Sequence, residues 1–306
     1  MITESPTLTE QHPITAISPL SMRQPVVTTR LRNENETEVL DFLAERSLHN
    51  AVMIGLVRDN GIESRLNRGT FYGCRDAAGA LLGVAIVGHG VFIDARTDDA
   101  LREFARMAQE FPRAHMLMGE QEMIERFWQY YAPHGQPQHR ICREVLFELK
   151  DQSTRSDYVA NLRVAHVWDL TRVVPVHASM AFEESGVNPL TVDPDGFRQR
   201  CRRRIEAGRT WVLVEQDELI FKADVISDTP EVVYLEGVYV HPEHRRQGNG
   251  SKCLTQLTRS LLNRTRSISV LVNQERYEAL EFYKKVGFVS RGLFDTIFLR
   301  NQTQFT

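Results

Sequence analysis

Residues 236–251 constrain the fold of this chain more than any other stretch. They read Glu-Gly-Val-Tyr-Val-His-Pro-Glu-His-Arg-Arg-Gln-Gly-Asn-Gly-Ser, a strand running into a basic, glycine-rich turn. Val238, Tyr239 and Val240 are strand formers, Pro242 ends the strand, and Gly248 and Gly250 permit a backbone path that gathers several N–H groups on one point. Cys253, Leu254, Leu257 and Leu261 then recur at spacings of three and four, which places them on one helix face. The turn therefore opens a helix whose N-terminal dipole points back into it, with Arg245 and Arg246 adding charge alongside. Such a terminus favours an anion, and the shape predicts an α/β chain with a pyrophosphate cradle.

Two common phosphate loops do not fit. A nucleotide-triphosphatase loop needs Gly-x-x-x-x-Gly-Lys-Ser/Thr, but here Ser251 precedes Lys252. A dinucleotide fingerprint needs Gly-x-Gly-x-x-Gly, and Gly248-Asn-Gly250 supplies only its first pair. The run Arg245-Arg-Gln-Gly248-Asn-Gly250 after a Val-x-Val-x-Pro strand resembles the coenzyme A loop of the GNAT superfamily of N-acetyltransferases. A basic loop that merely caps a helix against solvent is the plain alternative. A second match weakens that alternative. Val-Asn273 followed by a helix with Ala279, Tyr283 and Gly287-Phe288 is similar to the last characteristic block of the same superfamily.

Residues 221–225 (Phe-Lys-Ala-Asp-Val), 183–189 and 292–299 extend the resemblance to roughly residues 160–300. Together they look like a bacterial family in which an uncharacterised N-terminal domain precedes a C-terminal GNAT domain. That resemblance implies acetyl-CoA as cosubstrate. It assigns coenzyme contacts to Val238, Tyr239, Val240, Arg245, Arg246, Gln247, Gly248, Asn249, Gly250, Ser251, Asn273, Ala279 and Tyr283. It also implies that the strands ending at Val240 and Val272 splay apart to admit the pantetheine arm. Arg276 stands where the family has asparagine and Glu236 where it has glutamine, so the acceptor side is left open.

A chain of 306 residues accommodates one large or two ordinary domains. The formal charge of −3 with dispersed basic residues argues against a nucleic-acid tract or a polybasic membrane anchor, and no apolar run reaches membrane-spanning length. Four cysteines far apart, Cys74, Cys142, Cys201 and Cys253, suit reduced thiols in a cytoplasmic protein. His241 and His244 lie three apart without a cysteine or carboxylate cluster to complete a ligand set, so no metal is expected. Residues 1–26, rich in Thr, Ser, Pro and Gln, read as a tail and not a secretory signal. A monomer or homodimer is expected.

Hydrophobic spacing in residues 27–150 predicts a helix over 36–48, strands near 70–74, 81–87 and 91–93, a helix over 98–111, a strand at 115–118, a helix over 120–131 and a closing strand at 142–149. This order approximates a second GNAT-like core, degenerate because no Arg-x-x-Gly-x-Gly follows residue 93. An unrelated α/β cap is the alternative. Residues 150–156 form the candidate linker to a catalytic domain over 157–306. There, strands at 162–168, 210–215, 219–225, 232–240, 267–272 and 296–299 accompany helices over 172–184 and 197–206 besides the two motif helices. The expected class is α/β (α+β) with tandem GNAT-like domains, each a mixed, mostly antiparallel twisted sheet flanked by helices.

Acetyl transfer to an amine needs an uncharged amine, a polarised carbonyl and a proton for the departing thiolate. Glu236 is the candidate base, and plain strand alternation would place it on one face with Val238 and Val240. A solvent-facing or salt-bridged strand carboxylate is the competing reading. By the family resemblance Tyr283 donates the proton, backbone N–H groups around Val240 polarise the carbonyl, and Ala279, one turn before the tyrosine, leaves room for the coenzyme. No cysteine has a nucleophile's context, so direct attack is expected. Glu183 and Glu184 are candidates to attract a cationic acceptor, either a small molecule or a protein lysine. The alternative function is a regulatory module that binds acyl-CoA without turnover.

Overall fold

The computed structural model describes residues 25–151 and 158–300. All but the last two residues of the expected tail, and all but the first two of the expected linker, lie outside them. The first half runs β1 (Val27–Arg30), α1 (Glu36–Ala44), α2 (Ala51–Asn60), β2 (Gly69–Arg75), β3 (Leu81–Gly88), β4 (Gly90–Ala95), α3 (Asp98–Gln109), β5 (Met116–Glu120), α4 (Gln121–Tyr131) and β6 (Gln138–Leu149). The second runs β7 (Arg163–Val164), α5 (Leu170–Ser185), α6 (Pro189–Val192), α7 (Pro194–Glu206), β8 (Thr210–Glu215), β9 (Glu218–Asp228), β10 (Val233–Val240), α8 (Asn249–Leu262), β11 (Ile268–Asn273), α9 (Tyr277–Val286) and β12 (Val289–Leu299). The succession β4–α3–β5–α4–β6 is repeated as β10–α8–β11–α9–β12. The fold is the expected mixed α/β arrangement in tandem.

All strands join one sheet in the order β1-β2-β3-β4-β5-β12-β6-β11-β10-β9-β8-β7. Among the described residues only β4–β5 and β10–β11 are parallel. The centre of the sheet is an exchange: β12, from the end of the chain, pairs with β5 of the first half, while β6 pairs with β11 of the second. The two exchanged strands pair with each other from Val289↔Glu148 to Leu299↔Gln138. Each half therefore supplies one strand to the other.

Two layers of helices cover the sheet. Clusters around Phe104, Phe127 and Tyr131 below α3 and α4, and around Leu254, Leu257 and Tyr283 below α8 and α9, lie on one face. On the opposite face α1 covers the first half, α2 reaches from the first half onto β9 and β10, and α5 and α7 cover the rest of the second half. The hairpin between β8 and β9 turns at Gln216 and Asp217 with φ of 47° and 69°, a pair of left-handed residues that matches strand twist. The strand expected over 162–168 shrinks to Arg163–Val164. Asp169 accepts from the His166 N–H and from Arg163 at 2.7 Å each, which bends the following residues into a tight helical turn.

Candidate active site

Gly248 sits at φ +85° and Arg246 at +60°, so the chain after Pro242 coils into a concave turn before α8 begins. The first α-helical bond is Lys252 N–H to the Gly248 carbonyl at 3.1 Å, which leaves the N–H groups of Asn249, Gly250 and Ser251 without a helical acceptor. A Cβ at Gly248 would meet nothing within 4 Å, whereas one at Gly250 would stand 2.7 Å from Val240 Cγ2. The first glycine thus faces open space, and the second lets α8 lie directly on the end of β10. This open, cationic helix terminus fits a pyrophosphate.

From the cradle a cleft of about 1160 Å³ runs between α5 and the first turns of α9. Val238, Tyr239, Val240, Arg245, Arg246, Gly248, Gly250, Ser251, Ala279 and Tyr283 all line it, as does Glu183. Gln247, Asn249, Asn273, Glu184 and the expected base Glu236 do not. Gln247 donates to the Glu243 carbonyl at 2.7 Å, and Asn273 is occupied with Cys142 Sγ at 3.0 Å and the Glu275 N–H at 2.8 Å.

Strand pairing accounts for the slot at the inner end. β10 and β11 pair only from Val233↔Ile268 to Leu235↔Val270, although both strands continue beyond. Along β9, the His241 N–H bonds the Ile220 carbonyl at 2.9 Å. Because antiparallel pairs alternate, Val240 directs its N–H away from β9 into the gap. Its carbonyl is taken by Arg245 Nε at 3.0 Å.

The expected common face for Glu236, Val238 and Val240 does not occur. The β9–β10 register shifts by one between Glu236 and Tyr239, and Gly237 adopts φ +59°, so a β-bulge flips the alternation. Val238 and Val240 pack on the core with Tyr283, while Glu236 turns to the other face. Lys222 holds the bulge. Fully buried, it donates to Asp224 at 2.5 Å and to the Gly237 carbonyl at 3.0 Å. Burial alone would raise the Asp224 pKa, but Lys222, Arg204 and His177 outweigh it and hold the carboxyl well below its ordinary range. Thr210 completes the cage with a 2.7 Å bond.

Glu236 keeps solvent access yet stands deep within the protein, where desolvation raises its pKa against the opposing charge of Arg204. Tyr283 is buried among Phe147, Phe282 and Phe288, and burial pushes its phenol well above the ordinary value. It is therefore a proton carrier at neutral pH. The two groups approach the gap from opposite faces of the sheet. All four cysteines are buried and unpaired, and burial raises their thiols, with Cys253 at about 12, so none is a thiolate nucleophile.

Two further carboxylates have raised pKa values near Glu236. Glu184, at the end of α5, has its pKa raised to about 7 by burial and then by Glu236. Glu144 on β6 is pushed up to about 8 by burial and then by Glu184. Nothing in the sequence marks Glu144 as a neighbour of β11, because only the strand exchange carries it there, opposite Asn273. The buried Lys222–Asp224 pair did carry a signal: opposite charges two apart in an otherwise apolar strand share a face.

The corresponding slot of the first half is filled. β4 and β5 also stop pairing early, at Phe92↔Met118. Asp94 there receives Arg46 at 3.0 Å, Arg96 at 2.8 Å and Asn50 at 2.5 Å, Glu120 also pairs with Arg46, and a void of only about 20 Å³ remains. Thr97 caps α3, whose first turn carries Asp98 and Asp99. That terminus repels an anion. At the cradle's outer edge the fold brings Glu218 to His241 (3.1 Å) and His244 (3.5 Å), a carboxylate that sequence spacing did not associate with them. These contacts fasten the cradle loop to β9.

Residues 206–290 match the family described as acetyltransferase (GNAT) domain. No curated protein matches the chain by sequence. Among solved structures, a Drosophila protein has a TM-score of 0.68 at 12% identity, covering 91% of this chain and 100% of its own. A tandem GNAT protein from the clavulanic acid biosynthesis pathway has a TM-score of 0.57 at 12% identity (89% and 98%). A GCN5-related N-acetyltransferase from Sphaerobacter thermophilus has 0.58 at 12% identity (90% and 96%). These likenesses establish the fold across both halves. The family match gives the second half an acetyltransferase (GNAT) domain over residues 206–290. No described helix is long and apolar enough to cross a membrane.

Proposed function

We propose that the chain transfers an acetyl group from acetyl-CoA to a primary amine by direct attack, in a single site formed by the second half. The observation that carries this reading is the cleft that runs from the N-terminus of α8 along Val238 to Val240 to Tyr283, beside the point where β10–β11 pairing ends at Leu235, next to Glu236. Arg245, the free N–H groups of α8 and the open space at Gly248 would hold the pyrophosphate, and Ala279 would admit the arm. Bound acetyl-CoA supplies the activated acetyl group and a thiolate leaving group. A lysine-type amine has a pKa of about 10.4, so it must lose a proton before attack. Glu236, with its raised pKa, accepts that proton directly or through water. The Val240 N–H polarises the acyl oxygen, and Tyr283 gives its proton to the sulphur.

Residues 27–150 would act as a degenerate domain that shapes the acceptor side, with 157–306 as the catalytic unit. A Tyr283→Phe protein should bind coenzyme normally but release thiol on the order of a hundred-fold more slowly. Unchanged turnover would remove the tyrosine from the mechanism. A second reading, a regulatory module that binds acyl-CoA without turnover, has one observation in its favour: Arg276 bridges to Glu183 at 2.9 Å across the cleft. Binding without thiol release across a panel of amines would favour it.

A further inference from the structure

The turn that leads into the cradle carries two imidazoles on one side. After β10 ends at Val240 the chain makes a single tight helical turn over Pro242–His244, closed by the His244 N–H on the His241 carbonyl at 2.9 Å. Residues three apart in such a turn eclipse, so His241 and His244 stand on the same side with ring centroids 5.7 Å apart. β9 brings the third group. Glu218, its first residue, follows the left-handed pair Gln216 and Asp217, and the His241 N–H on the Ile220 carbonyl at 2.9 Å holds the turn against that end of the strand.

One carboxylate faces both rings: Oε1 of Glu218 lies 3.1 Å from His241 Nε2, and Oε2 lies 3.5 Å from His244 Nε2. A tetrahedral ion with bonds of about 2.0–2.1 Å needs donors about 3.3 Å apart, so these separations match the edges of its coordination shell. One donor atom from each of the three residues lies within 4.8 Å of the others, and among the described residues no other group of three His, Cys, Asp or Glu side chains converges in this way. Held instead as ion pairs, two imidazolium charges would share one carboxylate and repel each other. Two neutral imidazoles and a carboxylate complement a dication without that conflict. All three side chains reach solvent, which gives an ion its way in. His241 Nδ1 is buried without a hydrogen-bond partner, so this ring lacks the second bond that orients a tight metal ligand, and micromolar affinity is expected.

We propose that Glu218, His241 and His244 form a site for a divalent transition-metal ion of the zinc class, with the fourth coordination position left to water. The ion ties β9 to a turn whose last residue, His244, lines the coenzyme cleft and immediately precedes Arg245. Metal occupancy thus orders the loop that carries the cradle's first arginine, and metal and coenzyme A reinforce each other's binding.

Zinc chloride is titrated calorimetrically into the untagged, chelator-treated full chain, and coenzyme A affinity is then measured with and without zinc. A single equivalent should bind with a dissociation constant of about 1–10 μM, and magnesium chloride should not compete. His244→Gln should weaken zinc binding at least about ten-fold. Glu218→Gln, which alters a more exposed side chain, is the second variant and should do the same, should His244→Gln fail to fold. Bound zinc should tighten coenzyme A about three-fold in the unaltered chain and leave it unchanged in the variants. No saturable zinc binding below about 100 μM, or equal affinity in the variants, would overturn the site. Equal coenzyme A affinity with and without zinc would overturn its coupling to the cradle. Zinc binding is read without acetyl-CoA or an amine, so the site stands or falls apart from the transfer reading.

Discussion

At Gly237 the backbone of β10 turns to φ +59°, and its carbonyl meets the ammonium of a lysine with no exposed surface. A Cβ there would stand 2.8 Å from Lys222 Nζ, so the bulge, the glycine and the buried pair form one device that turns Glu236 out of the strand's alternation. Glu144 shows the opposite economy, a buried acid left short of partners. Its pKa is raised from 4.5 to about 8, so its native pKa exceeds the unfolded one. The favourable term is therefore fully present below about pH 4.5 and lost as pH rises toward 8. Thermal unfolding should show Glu144→Gln more stable than the unaltered protein at pH 8.5, by up to about 5 kcal/mol, with the gap closing toward pH 5. A gap independent of pH would mean that the carboxyl is not titrating in that window.

Among the elements, β10, α8 and α9 were legible because glycine, proline and apolar spacing act locally there. Helix α2 was not. Its sequence, Ala-Val-Met-Ile-Gly-Leu-Val-Arg-Asp-Asn, is largely apolar with a glycine in the middle, which blurs helical contrast. Gly55 is there for contact: a Cβ would stand 2.5 Å from Ser227 Oγ on β9. The bulge at Glu236 was hidden for a related reason, since a single glycine in a strand does not say which residue it displaces. The cradle yields its own prediction. In Gly250→Ala the new methyl would press on Val240 at 2.7 Å and push α8 off the strand, so calorimetry should show coenzyme A affinity reduced by about ten-fold. Full affinity would mean that α8 does not set the cradle.

Across the whole molecule, the exchange of β6 and β12 makes each half incomplete. Sequence order suggested a cut near residues 150–157, since the first half's elements end in a strand and the second half's begin with one. Pairing between distant strands is invisible to local patterns, and with it the placement of Glu144 between β11 and β12 of the second half. Residues 158–306 expressed alone would lack the strand between β11 and β12. That fragment should fail to show a cooperative melt, and a cooperative melt equal to that of the full chain would mean that the exchange does not bind the halves together. The first half keeps the slot but fills it with Arg46, Asp94 and Glu120, while the second keeps it open. A crystal structure of the full chain with acetyl-CoA tests this division most directly. The account predicts one coenzyme per chain, its pyrophosphate on Gly248 to Ser251 and its thioester in the β10–β11 gap between Glu236 and Tyr283. A coenzyme between β4 and β5, or one lying outside the cleft, would contradict it.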